Sequence, residues 1–280
     1  MIRSICCCLL AIFCAGAAWC FADNSVSSIG PAKGSLVIAG GGALGAPVMN
    51  RFIELAGGAK ASLVIIPSAS ENPQVNSRDP VFAAFKKLGA KVTVLHTTDR
   101  TEADKEDFAQ PLKEATAVWL GGGRQWRLAD VYLGTRVMPE LFAVLDRGGV
   151  IGGSSAGATI QGSYLVRGAV EGNTVMMAPG HEQGFGFLKD SAIDQHWAKR
   201  QRERDMVPVI ERHPNLLGIG LDEATAIVVH GNEFEVIGAS VVGIYDARST
   251  AWKSAQPWLV LRAGQRFDLK GRVVLEKASP

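Results

Sequence analysis

Gly148-Gly149-Val150-Ile151-Gly152-Gly153-Ser154-Ser155-Ala156-Gly157-Ala158 runs from a short apolar segment through paired glycines into a serine flanked by small residues. A strand that turns sharply into a helix at such a serine pushes its hydroxyl out of the backbone, and neighbours without bulk relieve the crowding of that turn. Ser155 is therefore the candidate nucleophile. The N–H of Ala156 would then lie at a helix start, where unpaired donors and the helix dipole favour a developing negative charge. The same spacing also suits a phosphate-binding turn or a plain chain reversal. A nucleophilic serine needs a base and a group to orient that base, and both must come from elsewhere in the chain.

Apolar runs of the same kind recur at Ser35 to Ala39, Ser62 to Pro67, Lys91 to His96 and Ala117 to Leu120, and Gly149 to Gly153 is the fifth. Continuous rather than alternating Val/Ile/Leu runs are the mark of strands covered on both faces. Between them the spacing predicts helices at Gly45 to Leu55, Pro80 to Leu88, Thr101 to Glu114 and Trp126 to Asp146. The alternation predicts an α/β fold with a mostly parallel central sheet flanked by helices, and ligands in such sheets bind at the carboxyl ends of the strands. Beyond Ser155 the pattern changes. Gln161 to Val175 reads as extended, Asp190 to Val209 as one charged helix, and Leu216 to Tyr245, Trp258 to Leu261 and Val273 to Leu275 as antiparallel strands. With no Pro/Ser-rich linker, residues 23–280 read as a single domain.

The chain has 280 residues, of which 47% are hydrophobic and 20% charged, enough for a sizeable core. A net charge of +2 gives no nucleic-acid footprint. At the N-terminus, Met1-Ile2-Arg3 precedes an apolar run from Ile5 to Ala18 and then polar Asp23-Asn24-Ser25, the order of a secretory signal peptide over residues 1–22. The run is shorter than the roughly 20 residues a spanning helix needs. The expectation is an exported protein, periplasmic or extracellular, with no membrane contact once the leader is removed. Cys6, Cys7, Cys8, Cys14 and Cys20 all lie in that leader, which leaves the mature chain without disulfides, thiolate nucleophiles or Cys-ligated metals.

Two further glycine-rich turns end predicted strands. Gly40-Gly41-Gly42-Ala43-Leu44-Gly45 resembles a dinucleotide-binding turn, but the second strand ends in Ile66-Pro67-Ser68 without the acidic ribose clamp, so it reads as a structural turn beside the site. Leu120-Gly121-Gly122-Gly123-Arg124-Gln125-Trp126 can aim a backbone N–H into the same cleft. Of the five histidines, His96 and His230 border apolar runs and His213 precedes a proline, whereas His181 and, better, His196 in Asp194-Gln195-His196-Trp197 suit a cleft. Lys199, Arg200 and Arg202 follow close behind. The orienting acid is Asp222 or Glu223, a pair of carboxylates between two apolar runs.

Taken in order, Gly122-Gly123 followed by Gln125, Gly153-Ser154-Ser155-Ala156-Gly157, Asp194-Gln195-His196 and Gly218-Ile219-Gly220-Leu221-Asp222-Glu223-Ala224-Thr225-Ala226 make the chain similar to the cyanophycinase group of serine exopeptidases. That is peptidase family S51, which includes aspartyl dipeptidase and shares the flavodoxin-like fold of class I glutamine amidotransferases. The resemblance covers roughly Ser35 to Tyr245. It implies Ser155 as nucleophile, His196 as general base, Glu223 as its orienting acid, and the Gly123 and Ala156 N–H groups as oxyanion hole. It also implies substrate contacts from Gln125, Asp194, Gln195, Arg200 and Arg202, an acyl-enzyme route with no metal or cofactor, and a small aspartyl peptide or β-aspartyl-arginine polymer as substrate. Two positions depart from the family's pattern: Arg124 stands where Asp or Asn is usual, and Asp205 where another arginine is usual. Arg124 could hold a substrate carboxylate, which shifts the expectation from the polymer to a small acidic or β-aspartyl peptide. A homodimer fits this reading. The competing readings are an esterase, or a non-catalytic periplasmic binding protein on the same fold.

Overall fold

Five of the apolar runs form the parallel heart of the larger sheet: β1 (Ser35–Ala39), β2 (Ser62–Ile66), β3 (Lys91–Val94), β4 (Ala117–Leu120) and β5 (Val150–Ser154). The computed structural model describes residues 28–71 and 79–275; the expected leader and all five cysteines lie outside them. The chain continues through β6 (Gly162–Tyr164), β7 (Leu188–Gln195), β8 (Leu217–Leu221), β9 (Thr225–His230), β10 (Glu233–Gly238) and β11 (Val241–Tyr245). It ends with β12 (Leu259–Arg262), β13 (Arg266–Asp268) and β14 (Val273–Leu275). One sheet has the order β14-β13-β10-β9-β1-β5-β4-β2-β3, and the other β12-β11-β8-β7-β6. In the first, β1, β5, β4, β2 and β3 are mutually parallel, and β9, β10, β13 and β14 extend it antiparallel. In the second, β6, β7 and β8 are parallel and β11 and β12 antiparallel.

Successive side chains of a strand point to opposite faces, and β1 shows what that does here. Leu36 and Ile38 join a core with Leu128, Leu141 and Ile219, whereas Val37 and Ala39 join one with Phe52, Phe85 and Trp119. The first of these cores takes residues from both sheets, including Ile193 of β7 and Leu221 of β8. Among the described residues no helix is long and apolar enough to cross a bilayer.

Four predicted elements differ. The stretch Trp126 to Asp146 is two helices, Gln125–Tyr132 and Val137–Asp146, because the chain leaves helical geometry at Leu133 and Gly134 takes φ +71°. Thr101 to Glu114 is likewise split into Arg100–Ala103 and Glu106–Lys113, with Lys105 extended between them. The largest difference is Asp190 to Val209. Its first part completes β7 and only Val207–Arg212 is helical. Ser191 to Trp197 are all buried, which suits a strand covered on both faces and not the charged helix expected. Of Gln161 to Val175, only the three residues of β6 form a strand.

The short helix Ala156–Thr159 lies directly on the carboxyl ends of β4 and β5. A Cβ on Gly157 would stand 2.0 Å from the Leu120 carbonyl oxygen, and one on Gly153 2.3 Å from that of Gly157. Replacing Gly157 by alanine therefore forces backbone apart. Overpacking of this kind costs about 1–3 kcal/mol. Thermal unfolding of Gly157→Ala should show a lowered Tm, and an unchanged Tm would contradict the packing described.

Candidate active site

The carboxyl ends of β1, β5 and β4 lie side by side, with Ala39 opposite Ser154 and Gly153 opposite Leu120. Each runs straight into one of the three glycine-rich turns. Ser155 follows β5 with φ +56° and ψ −114°, a conformation an L-residue adopts only under constraint. Its N–H donates to the Ala39 carbonyl at 3.1 Å, while its own carbonyl accepts from Ala158 and Thr159. Pinned on both sides, the residue directs its side chain away from the sheet end. The next residue, Ala156, is the first of the helix, so its N–H has no carbonyl one turn earlier to bond.

His196 comes from the second sheet. It follows β7 with φ +54°, and its N–H donates to the Gly40 carbonyl at 2.8 Å. Its Nε2 lies 3.0 Å from Ser155 Oγ, and its Nδ1 2.6 Å from Glu223 Oε1. An ionised carboxylate can only accept, so Nδ1 carries the proton and Nε2 turns its lone pair to the hydroxyl. Glu223 stands in the crossing from β8 to β9, where Ala224 takes φ +56° and donates its N–H to the Gly41 carbonyl. Asp222, the other carboxylate considered, accepts instead from Lys199 N–H and Ser240 Oγ. Burial of the imidazole disfavours its charged form and outweighs the Glu223 bond, and the nearby Arg200 and Arg202 cations push the same way, so the His196 pKa is lowered.

The glycine turns close the site around these groups. Gly41 has φ +116°, and a Cβ there would stand 2.3 Å from Cε1 of the His196 ring. The Gly40 turn is thus a support for the imidazole, a role that its spacing alone could not specify. Gly122 packs 3.6 Å from Ser155 Cβ by the same construction, which sets the Gly121–Gly123 turn beside Ser155. Gly123 takes φ +142° against the Ala69 carbonyl, and that carbonyl accepts the Arg124 N–H at 2.8 Å.

The residues expected to contact substrate divide into two groups. Arg124 is half-buried, with Nη2 on the Ala169 carbonyl at 2.6 Å and a buried Nε that has no partner, and Arg200 is exposed. Gln125, Asp194, Gln195 and Arg202 are buried and hold one another or the backbone. Gln125 donates to the Val166 and Arg167 carbonyls, and Arg202 to the carbonyl and Oε1 of Gln195. Asp194 is fully buried, and both its oxygens are taken by Arg167. A direct contact from Asp194 to a ligand is not open in this arrangement. His181 pairs with Asp130, His96 with Ser68 and His230 with the Gly34 carbonyl, and none of them meets Ser155. Among the described residues no three His, Cys, Asp or Glu side chains gather as metal ligands.

Arg167 escaped the sequence reading. The available signal was a single arginine inside Leu165-Val166-Arg167-Gly168-Ala169-Val170, where an unpaired charge would be costly to bury.

Comparison with known proteins gives a consistent result. The model of Peptidase family S51 matches residues 36–237. The chain is 33% identical over 212 residues to a cyanophycinase of Geminocystis herdmanii (strain PCC 6308), covering 74% of this chain and 78% of the relative. It is 32% identical over 253 residues to a cyanophycinase of Trichormus variabilis (strain ATCC 29413 / PCC 7937), covering 82% and 83%. The crystal structure of a peptidase from an acI-B1 Actinobacterium superposes with a TM-score of 0.66 at 22% identity, over 85% of this chain and 98% of that one, a likeness of fold.

An NMR titration of the His196 ring tests the electrostatics directly. Its midpoint should lie below the ordinary histidine value of about 6.5. Arg200→Ala removes a cation that opposes protonation and should raise the midpoint, whereas Glu223→Gln removes the acceptor that favours the imidazolium and should lower it further. A wild-type midpoint above 6.5, or shifts of the opposite sign, would refute the arrangement.

Proposed function

The chain belongs to peptidase family S51, and from that premise we propose that Ser155, His196 and Glu223 form the triad of an exported exopeptidase acting on small acidic or β-aspartyl peptides. Serine-type peptidase chemistry comes with the family. The finer reading is supported above all by one observation, the unbroken chain of hydrogen bonds from Ser155 Oγ through the His196 ring to Glu223.

In the first step Ser155 Oγ attacks the scissile carbonyl carbon and its proton passes to His196 Nε2. Glu223 stabilises the imidazolium without taking a proton itself. The N–H groups of Ala156 and Gly123 receive the negative charge that develops on the carbonyl oxygen; losing one such donor costs about 3–4 kcal/mol at the transition state. The imidazolium then protonates the leaving amine, the C–N bond breaks, and the acyl group remains as an ester on Ser155. Water, deprotonated by the same imidazole, hydrolyses that ester and restores the hydroxyl. A lowered His196 pKa keeps the imidazole neutral near pH 7, the form in which it can accept the serine proton.

Arg124 and Arg200 support an acidic substrate. Neither has an ion-pair partner among the described residues, and Arg124 follows the turn that flanks Ser155. The exposed Arg200 guanidinium can recognise a carboxylate bidentately, whereas Arg124, whose Nη2 already serves the Ala169 carbonyl, contributes positive charge. Export is supported by the charge and apolar order of residues 1–22.

Kinetics on a panel of β-aspartyl and α-linked dipeptides test this reading. Ser155→Ala should lose turnover by about 10⁴-fold or more while keeping its Tm. Gly41→Ala, which displaces the imidazole and leaves every catalytic side chain present, should lose about 10²-fold in kcat. Peptide cleavage retained in Ser155→Ala would dismiss the triad, and cleavage of uncharged esters alone would make the protein an esterase.

A further inference from the structure

Arg167 lies between β6 and β7 with φ +57° and is 1% exposed. Its Nε and Nη2 fork onto Asp194 Oδ1 and Oδ2 at 2.7 and 2.8 Å. Nη2 also reaches Asp205 Oδ2 at 2.6 Å, and Nη1 donates to the Asn173 carbonyl at 2.7 Å. Two carboxylates and a carbonyl thus accept from the guanidinium. Asp194 is two residues before the His196 base, and the Asp205 carboxylate is partly open to solvent. The Val166 and Arg167 carbonyls meanwhile hold Gln125, the residue that follows the Gly121–Gly123 turn. The Arg167 segment therefore contacts both the end of β7 that leads to His196 and the residue that follows the Gly121–Gly123 turn.

A buried ion pair is a weak source of net stability, because desolvation of both charges offsets most of their attraction and apolar side chains of similar volume can serve as well. Its geometry is better suited to recognition. A planar guanidinium needs paired acceptors in a fixed arrangement, and this site supplies them.

We propose that Arg167 is the resident occupant of a guanidinium subsite in the cleft wall, filling the place where Asp194 and Asp205 would otherwise accept a cation from a ligand. By neutralising those two carboxylates from within, it leaves Arg124 and Arg200 as the uncompensated charges and sets the cleft against basic peptides. Its consequence for selectivity rests on reading the cleft as a peptidase site; the existence of the subsite does not.

Arg167→Ala empties the subsite and leaves the buried Asp194 with only the Gln195 N–H at 2.9 Å and the more distant Arg202 guanidinium at 3.9 Å, for which a Tm about 10 °C lower is expected. Methylguanidinium chloride at about 10 mM should recover about half of that loss or more, whereas methylammonium chloride at the same ionic strength should not, and neither should move the wild type. Equal shifts in variant and wild type, or a variant with the wild-type Tm in plain buffer, overturn the proposal. If the variant is obtained only by refolding, the yield with methylguanidinium against methylammonium makes the same decision, and equal yields overturn it. These readouts need no turnover, so they stand apart from any failure of the triad. In the folded variant, kcat/KM for a β-aspartyl dipeptide carrying arginine, relative to one carrying glutamate, should rise about tenfold. No gain for the arginine substrate overturns the selectivity part.

Discussion

The hydrogen bond from His196 Nδ1 to Glu223 Oε1, at 2.6 Å, and the 3.0 Å contact from Nε2 to Ser155 Oγ join groups that come from different sheets. Ser155 caps a strand of the larger sheet, His196 caps a strand of the smaller one, and Glu223 sits where the chain passes from the smaller sheet to the larger. This chain of hydrogen bonds therefore exists only if the two sheets keep a fixed relation. An apolar core shared by both sheets maintains it, together with backbone bonds that tie the first glycine turn to the others: Gly40 to His196 and Gly41 to Ala224. Packing far from the hydroxyl is in this way part of the chemistry, since proton transfer falls off steeply with misplacement of the base.

Small residues carry the second half of the arrangement. The strained turn at Ser155 is held because Gly153 and Gly157 let the short helix sit on the strand ends, and the imidazole fits because Gly41 has no side chain. Strain of this kind persists only where the surroundings over-determine it, and here the Ser155 backbone is bonded on both sides. The result is a hydroxyl and a first-turn N–H presented together at the end of a rigid parallel sheet, where such folds bind their ligands.

The parallel strands and the serine turn were legible because both leave local marks, continuous apolar runs and glycines at fixed offsets. His196 and its neighbours were singled out but set on the wrong element. The stretch Asp190 to Val209 reads as one charged helix, whereas Asp194 lies in a strand, buried against Arg167, and Asp205 completes the same cluster. Those partners stand 27 and 38 residues from Arg167, and no periodicity reports a pairing at that distance. Local pattern leaves Asp222 and Glu223 open for the same reason, and only the family resemblance points to Glu223: adjacent carboxylates take different partners because the crossing between sheets turns at Ala224. The two departures from the family's pattern, Arg124 and Asp205, take separate places. One adds a cation next to the Gly121–Gly123 turn, and the other gives Arg167 its second carboxylate.

Activation of one hydroxyl among many is the claim on which the functional account rests. Labelling with a fluorophosphonate, followed by peptide mapping, reports it without any assumption about substrate, since only a serine deprotonated by a neighbouring base reacts quickly. The account predicts a single adduct on Ser155 in the wild-type protein and loss of that adduct in a folded His196→Ala variant. An adduct on another serine, or equal labelling of Ser155 with and without the imidazole, would contradict it.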